Sequence, residues 1–380
     1  MSSQVETGIG IFWALRELDP RSGGELAGLM AQSGAVDEVV IWDQMTSWWP
    51  NALWTPDVTA QASQLKDIDA LSDPFITMAF ALAANENLGW AVSTDALRRD
   101  PPELFQSALT LSNATRGKSR LLLGAGEVRH INPYGRKRSE GLARLRDSLK
   151  IARQFFTAEK PFDFDGEIWK YRKAWIGNAR NEPRPDLFAL GGGPHLIDAA
   201  VELADGWVSG VPFVFSTPEE YSAEVVRVKE SLANHGRDPE SFVFGLYHLT
   251  YLCDDRQEFL DNIEHPLLKW YAATGGRLNQ RHWAREGLES VYPDDWHYAL
   301  HMRPAHMTRA EVDEILNRTT AEHVDKTCIA GTPSDVAQIL RPYTDAGCSY
   351  HLIIDYAPLV GAEPTGAINR AVELCRLLKQ

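Results

Sequence analysis

Glu127 stands directly after Arg120-Leu-Leu-Leu-Gly-Ala-Gly126, a short apolar run that breaks in a glycine turn. A carboxylate just past the end of a buried strand is a proton carrier where α/β proteins place their active-site loops. Two other apolar runs end the same way. Glu38-Val-Val-Ile-Trp42 leads into Asp43-Gln44, and Leu88-Gly-Trp-Ala-Val92 leads into Ser93-Thr94-Asp95. Asp186-Leu-Phe-Ala-Leu190 leads into Gly191-Gly-Gly-Pro194, which opens a helix. Backbone N–H groups in such a turn, together with a helix N-terminus, can hold an anion such as phosphate. His297 and His301 have the spacing of neighbours on a helix, but the residue after His297 is Tyr298, not the Glu of a metalloprotease motif. They read as helix-surface or lid residues, as does His306, and no metal site is expected. No Ser-His-Asp or Cys-His order falls at nucleophile-like turns. The inventory of carboxylates, an amide, aromatics and an anion cradle suits an organic cofactor better than metal hydrolysis.

Eight short apolar runs alternate with helical patterns and would position these groups. The strands are read at 8–13, 38–42, 88–92, 120–123, 186–190, 205–209, 242–250 and 350–355, with Trp13 at the end of the first. Near-continuous apolar strands separated by helices mean a parallel sheet covered by helices, and eight units predict closure as a (β/α)8 TIM barrel. An open doubly wound sheet is the alternative. Three insertions interrupt the alternation, at about 45–71, 161–185 and 257–323. The first carries Trp48, Trp49 and Trp54 in a polar loop, where lining a pocket is one use for them. The second contains Phe164-Asp-Gly-Glu-Ile-Trp169, a small hairpin, and the third is helical and rich in Trp and His. No linker or internal repeat divides the chain, so residues 1–380 read as one domain.

The composition narrows the partners. A formal charge of −14 argues against nucleic acid or an anionic membrane surface. No run approaches a membrane span, and the first residues lack the basic and apolar regions of a signal peptide, so a cytoplasmic protein without membrane insertion is expected. Cys253, Cys328, Cys348 and Cys375 are far apart and read as reduced, buried thiols.

Six motifs in order carry a family resemblance. They are Val40-Ile-Trp-Asp-Gln44 with Trp48; Thr94-Asp-Ala-Leu-Arg-Arg-Asp-Pro101; and Leu122-Leu-Gly-Ala-Gly-Glu-Val-Arg-His-Ile-Asn-Pro-Tyr-Gly135. Phe164-Asp-Gly-Glu167 follows, then Ala189-Leu-Gly-Gly-Gly-Pro194 with Ala204-Asp-Gly-Trp207, and Ile329-Ala-Gly-Thr-Pro-Ser334. The chain resembles the luciferase-like superfamily and, within it, the oxidoreductases that depend on the deazaflavin coenzyme F420. The pattern is similar to the phthiodiolone-lipid ketoreductase type and to F420-dependent dehydrogenases.

That resemblance implies a TIM barrel, usually a homodimer, with the cofactor ring in the barrel mouth and a small organic substrate beside it. It implies hydride transfer between the deazaflavin and a ketone, alcohol or related compound. Glu127 matches the family's acid near the hydride-receiving carbon, Asp43 a ring-contacting carboxylate, and Trp48 an aromatic on the substrate side. Val128 and Asn132 match positions along the cofactor, and Ala189, Leu190 and Gly191 to Pro194 the phosphate-binding turn. A non-proline cis peptide after strand three, at Ala91-Val92 or Val92-Ser93, is implied as a bulge against the ring. One residue departs from the pattern. Gln44 stands where many deazaflavin-dependent alcohol and sugar dehydrogenases carry His. Gln orients a carbonyl or hydroxyl by hydrogen bonding but carries no proton near neutral pH. Proton transfer then falls to Glu127, with His130 and Tyr134 in reserve, and the Trp-rich loop suits a bulky or apolar substrate. An FMN-dependent monooxygenase of the same superfamily is the alternative, and a non-catalytic cofactor-binding barrel is a third reading.

Overall fold

In the strands, side chains alternate between two faces, so each apolar run supplies one set of residues to the interior and another to the helices outside. The computed structural model describes residues 5–11 and 19–380. Its strands are β1 (Glu6–Gly10), β2 (Glu38–Trp42), β3 (Trp90–Asp95), β4 (Ser119–Gly124), β5 (Phe162–Asp165), β6 (Lys170–Ala174), β7 (Asp186–Leu190), β8 (Gly206–Val211), β9 (Val243–Leu252), β10 (Ile329–Gly331) and β11 (Tyr350–Asp355). The order β1-β2-β3-β4-β7-β8-β9-β11 closes on itself through β1 and β11, with every pairing parallel. This is the expected (β/α)8 barrel. β10 is a strand beyond the eight expected. It pairs with the last residues of β9, Thr250 to Leu252, in a stretch of sequence read only as a helix start. The helix does start there, with Thr332 as its cap and Pro333 in its first turn. Trp13 lies outside the described residues.

Register divides the core into two layers. Val39, Ile41, Val92, Leu121, Leu123, Leu187 and Ala189 point outward and pack under the helices. Val40, Ala91, Leu122, Phe188, Val208, Leu249 and Leu352 fill the barrel. Small residues face large ones within it. At Gly210 a Cβ would run into the Tyr247 ring, so glycine there makes room for the phenol.

The first insertion is a loop with two short 3-10 turns, Asn51–Leu53 and Ala60–Ser63. The second is the β5–β6 hairpin, antiparallel and outside the barrel, with its turn held by Asp147 through Ile168 N–H at 2.8 Å. The third is helical, with helices including Pro266–Gly275, Tyr298–His301, Arg309–Arg318 and Ala321–Thr327. First and third insertions interlock through indole N–H groups. Trp48 donates to Thr274 at 2.7 Å, Trp49 to the Leu267 carbonyl at 2.9 Å, and Trp270 to the Trp48 carbonyl at 2.9 Å. No helix among the described residues is long and apolar enough to cross a membrane.

Near the N-terminal ends of the strands a charge is buried inside the barrel. Arg120, 1% exposed, pairs with Glu38 at 3.0 Å and with Glu6, and its guanidinium lies 4.8 Å from the Phe188 and Tyr350 ring centres. Burial pushes the Glu38 carboxyl up despite the attraction of Arg120, so the pair is mutually dependent. Removing one partner of a buried pair leaves the other charge without compensation. Arg120→Met is expected to lower unfolding free energy by about 3–5 kcal/mol in urea titrations. Adding Glu38→Gln to that variant should restore part of the loss.

Candidate active site

The C-terminal strand ends open into a cavity of about 310 Å³. Asp43, Gln44, Trp48, Ser93, Glu127, Leu190, Gly191, Gly192, Gly193 and Pro194 all line it. The structure therefore brings most of the sequence-derived site residues together. Five others do not line the cavity, and register is the main reason. Val92 and Ala189 point outward into the helix layer, and Ala91 lies deeper in the barrel fill. Val128 is buried, and Asn132 is exposed at the start of a 3-10 turn. Tyr134 is also exposed, away from the cavity. The expected non-proline cis peptide is absent. The cis bonds of the described residues are Glu182–Pro183 and Val211–Pro212. β3 instead keeps its parallel ladders with β2 and β4 in register through Ala91, Val92 and Ser93.

Asp43 has both carboxylate oxygens engaged. Thr94 Oγ1 donates at 2.8 Å, Arg98 at 2.8 Å and Arg99 Nε at 2.8 Å. Arg99 also pairs at 2.5 Å with Asp73, the residue that caps the Pro74–Ala84 helix. The Asp43 carboxylate is thus an anchor that ties the ends of β2 and β3 to a flanking helix. Gln44, next to it, has no side-chain hydrogen-bond partner among the described residues and faces the cavity.

The turn that carries Glu127 is built by its glycines and Asp95. A Cβ at Gly124 would collide with Asp95 Oδ1, and without it that oxygen accepts the Gly126 N–H at 3.0 Å. Gly126 has φ +96°, a conformation that disfavours other residues. Asp95 Oδ2 accepts from His130 Nε2 at 2.7 Å. Burial works to raise the Asp95 carboxyl, but the His130 hydrogen bond and nearby charges outweigh it and hold it below the usual range. Glu127 is partly exposed and paired with Arg129 at 2.7 Å, and the Arg129 guanidinium lies 5.4 Å from the Trp48 ring centre.

Aromatic rings form another part of the wall, beginning beside Arg129. Trp48 packs 5.0 Å from Tyr298 and 5.8 Å from Tyr271, and Phe213 lies 5.3 Å from Tyr298. Tyr247 and Tyr356 complete this wall from β9 and the end of β11. His297, read from sequence as a helix-surface or lid residue, also lines the cavity. Burial, then the nearby Arg138 charge, pushes its imidazole down to about 4. Trp49 faces the cavity too, whereas Trp54 is buried outside it and donates to the Leu65 carbonyl at 2.6 Å.

Comparison with known proteins places this geometry. The family described as luciferase-like monooxygenase matches residues 51–350. The chain belongs to that family. A phthiodiolone/phenolphthiodiolone dimycocerosates ketoreductase of Mycobacterium kansasii is 26% identical over 331 residues, which cover 84% of this chain and 87% of that protein. A 5,10-methylenetetrahydromethanopterin reductase of Archaeoglobus fulgidus is 25% identical over 248 residues, covering 65% of this chain and 70% of that one. The solved structure of an F420-dependent secondary alcohol dehydrogenase in complex with an F420-acetone adduct superposes with a TM-score of 0.73 at 16% identity. The match covers 99% of this chain and all of that one. At that identity the likeness concerns the fold.

Within the family barrel, several cavity residues escaped the reading of sequence. Period-two alternation in β9 carried a signal for Tyr247, since Gly245, Tyr247 and Leu249 share the inward face. Phe213, Tyr271, His297 and Tyr298 follow strand ends or lie in the third insertion, where no periodicity shows which side chain turns inward.

Asp43 yields a pH-dependent prediction. Burial would raise its carboxyl, but the hydrogen bond from Arg99 and the charges of Arg98 and Arg99 outweigh that and hold it below the usual carboxylate range. Its contribution to stability is therefore complete above about pH 4, near the unfolded value, and is lost as pH falls through the depressed native value. Asp43→Asn should destabilise by roughly 2–3 kcal/mol at pH 7. The deficit should shrink on acidification in thermal melts taken from pH 7 to pH 3.

Proposed function

We propose that this protein is a deazaflavin-dependent oxidoreductase that moves a hydride between coenzyme F420 and a ketone, or the corresponding alcohol, carried on a bulky or apolar body. The observation that carries this reading is the convergence of Glu127, Gln44, Trp48 and the Gly191–Pro194 turn on one cavity. The F420-dependent alcohol dehydrogenase of like fold and the ketoreductase relative support it.

The residues fit an extended cofactor with a phosphate. Gly191 to Gly193 precede the helix Pro194–Leu203; Pro194 has no N–H and Leu196 and Ile197 donate to the Gly193 carbonyl, so the N–H groups of Gly192, Gly193 and His195 are the ones available to an anion. A Cβ at Gly192 would approach Val214 to 2.7 Å, whereas at Gly193 nothing lies within 4 Å, so the backbone there is bare. These residues would hold the phosphate, and Ser93, Leu190 and Glu127 would border the ring. When bound, the deazaflavin supplies or accepts the hydride.

The chain's own part is orientation and one proton. In the direction of reduction, the carbonyl carbon gains the hydride and its oxygen takes a proton from the acid form of Glu127, which is left as the carboxylate paired with Arg129. In oxidation, Glu127 receives that proton from the hydroxyl. Arg129 fixes the Glu127 carboxylate in place, and Gln44 donates its amide N–H to the substrate oxygen. The ring wall of Trp48, Tyr271, Tyr298 and Phe213 excludes water and favours an apolar substrate body.

The family's monooxygenase members favour one second reading, in which reduced FMN activates oxygen. Titration of purified protein with F420 and with FMN, followed by ligand and tryptophan fluorescence, separates the two. Tight F420 binding with weak FMN binding is expected, and the reverse preference defeats the proposal. Glu127→Gln should retain F420 binding while turnover of ketones falls ~10²–10⁴-fold.

A further inference from the structure

His297 is the one imidazole that the third insertion presents to the cavity. Its ring is held by the local backbone. His297 is the N-cap of the Tyr298–His301 turn, and its Nδ1 accepts the Ala299 N–H at 3.2 Å. Its own N–H donates to His301 Nδ1 at 3.2 Å, which pins the backbone as well. The ring stacks on Tyr298 with centres 5.0 Å apart and planes 19° from parallel, and Tyr298 packs in turn on Trp48. An Nδ1 that accepts a backbone N–H carries no proton, so in the neutral ring the proton sits on Nε2. Nε2 has no partner among the described residues.

We propose that His297 donates its Nε2–H to the substrate oxygen, alongside Glu127 and Gln44, as a neutral hydrogen-bond donor of fixed tautomer. This rests on the reading of the cavity as a hydride-transfer site. In reduction the carbonyl carbon accepts the hydride of the reduced deazaflavin, and the C=O π pair moves to oxygen. The acid form of Glu127 gives that oxygen its proton and becomes the carboxylate paired with Arg129, and His297 keeps its own proton throughout. The donor is aimed where negative charge develops, so it acts on the transition state more than on substrate binding.

The surroundings keep the ring in that form. The charged and titratable groups acting on it are Arg138 and Glu127 from the segment after β4, and His301 one turn on. Burial and the Arg138 charge disfavour imidazolium, with Glu127 opposing them, and the balance leaves the ring neutral well below pH 6. This pairing also accounts for Gln44. With a neutral donor supplied by the third insertion and a proton carrier at Glu127, the end of β2 needs only an orienting amide.

Two measurements test the proposal. Nitrogen-15 spectra of the protein, with the His297 signals identified by their loss in His297→Gln, should show protonated Nε2 and unprotonated Nδ1 from pH 5.5 to 8. An Nδ1–H tautomer, or a ring that titrates near pH 6.5, overturns the assignment. In kinetics with F420, His297→Ser keeps a capping oxygen but loses the donor. Its kcat on ketones should fall ~10²-fold with KM little changed, and His297→Gln, which restores an N–H, should recover part of it. Wild-type kcat in His297→Ser overturns the donor role. Absent hydride transfer in the wild type would instead mark failure of the underlying functional reading.

Discussion

β1 pairs with β2 on one side and with β11 on the other, and that second pairing turns an open parallel sheet into a barrel. Parallel closure has one consequence from which the site follows. All eight barrel strands run the same way, so the segments leaving their C-terminal ends meet at one rim. Residues as distant in sequence as Gln44, Glu127, Gly191 and Tyr356 thereby line one cavity. The glycines that face the interior serve this closure, since at Gly210 the neighbouring Tyr247 ring occupies the space a Cβ would need.

The polar groups of the rim divide between holding the scaffold and remaining available. Asp43 is consumed by Thr94, Arg98 and Arg99. Asp95 is consumed by Gly126 and His130, and shapes the turn in front of Glu127. Gln44 and His297 keep hydrogen-bonding capacity toward the cavity. Both are half-buried at the cavity wall, where a ligand can reach them. Free donor capacity at the wall is the physical reason for looking to these two residues, and not to the well-paired carboxylates, for contacts with a ligand.

The insertions decide what enters. Trp48, Trp49 and Trp270 pin the loop after β2 to the helices after β9, each through an indole N–H, so this wall is a cross-linked aromatic surface. Such a surface offers area and shape with few exposed donors, which suits an apolar body better than a phosphorylated one. The bare backbone N–H groups lie instead at the Gly191–Pro194 turn of the cavity.

Much of this was legible in the sequence because local patterns have local causes. Near-continuous apolar strands alternating with helices specify a covered parallel sheet, and ordered motifs at strand ends identify the family. Asp43-Gln44, Glu127 and Gly191 to Gly193 could be placed at the rim for the same reason. What only the tertiary structure decided depends on register and on packing between distant segments. Register sends Val92 and Ala189 outward and keeps β3 in regular trans backbone. Packing of the third insertion on the first brings His297 and Tyr298 to the cavity. Those residues lie over 160 positions beyond Glu127 in a stretch without strand periodicity. Nothing in their sequence neighbourhood states which face of a four-residue helical turn will meet the barrel.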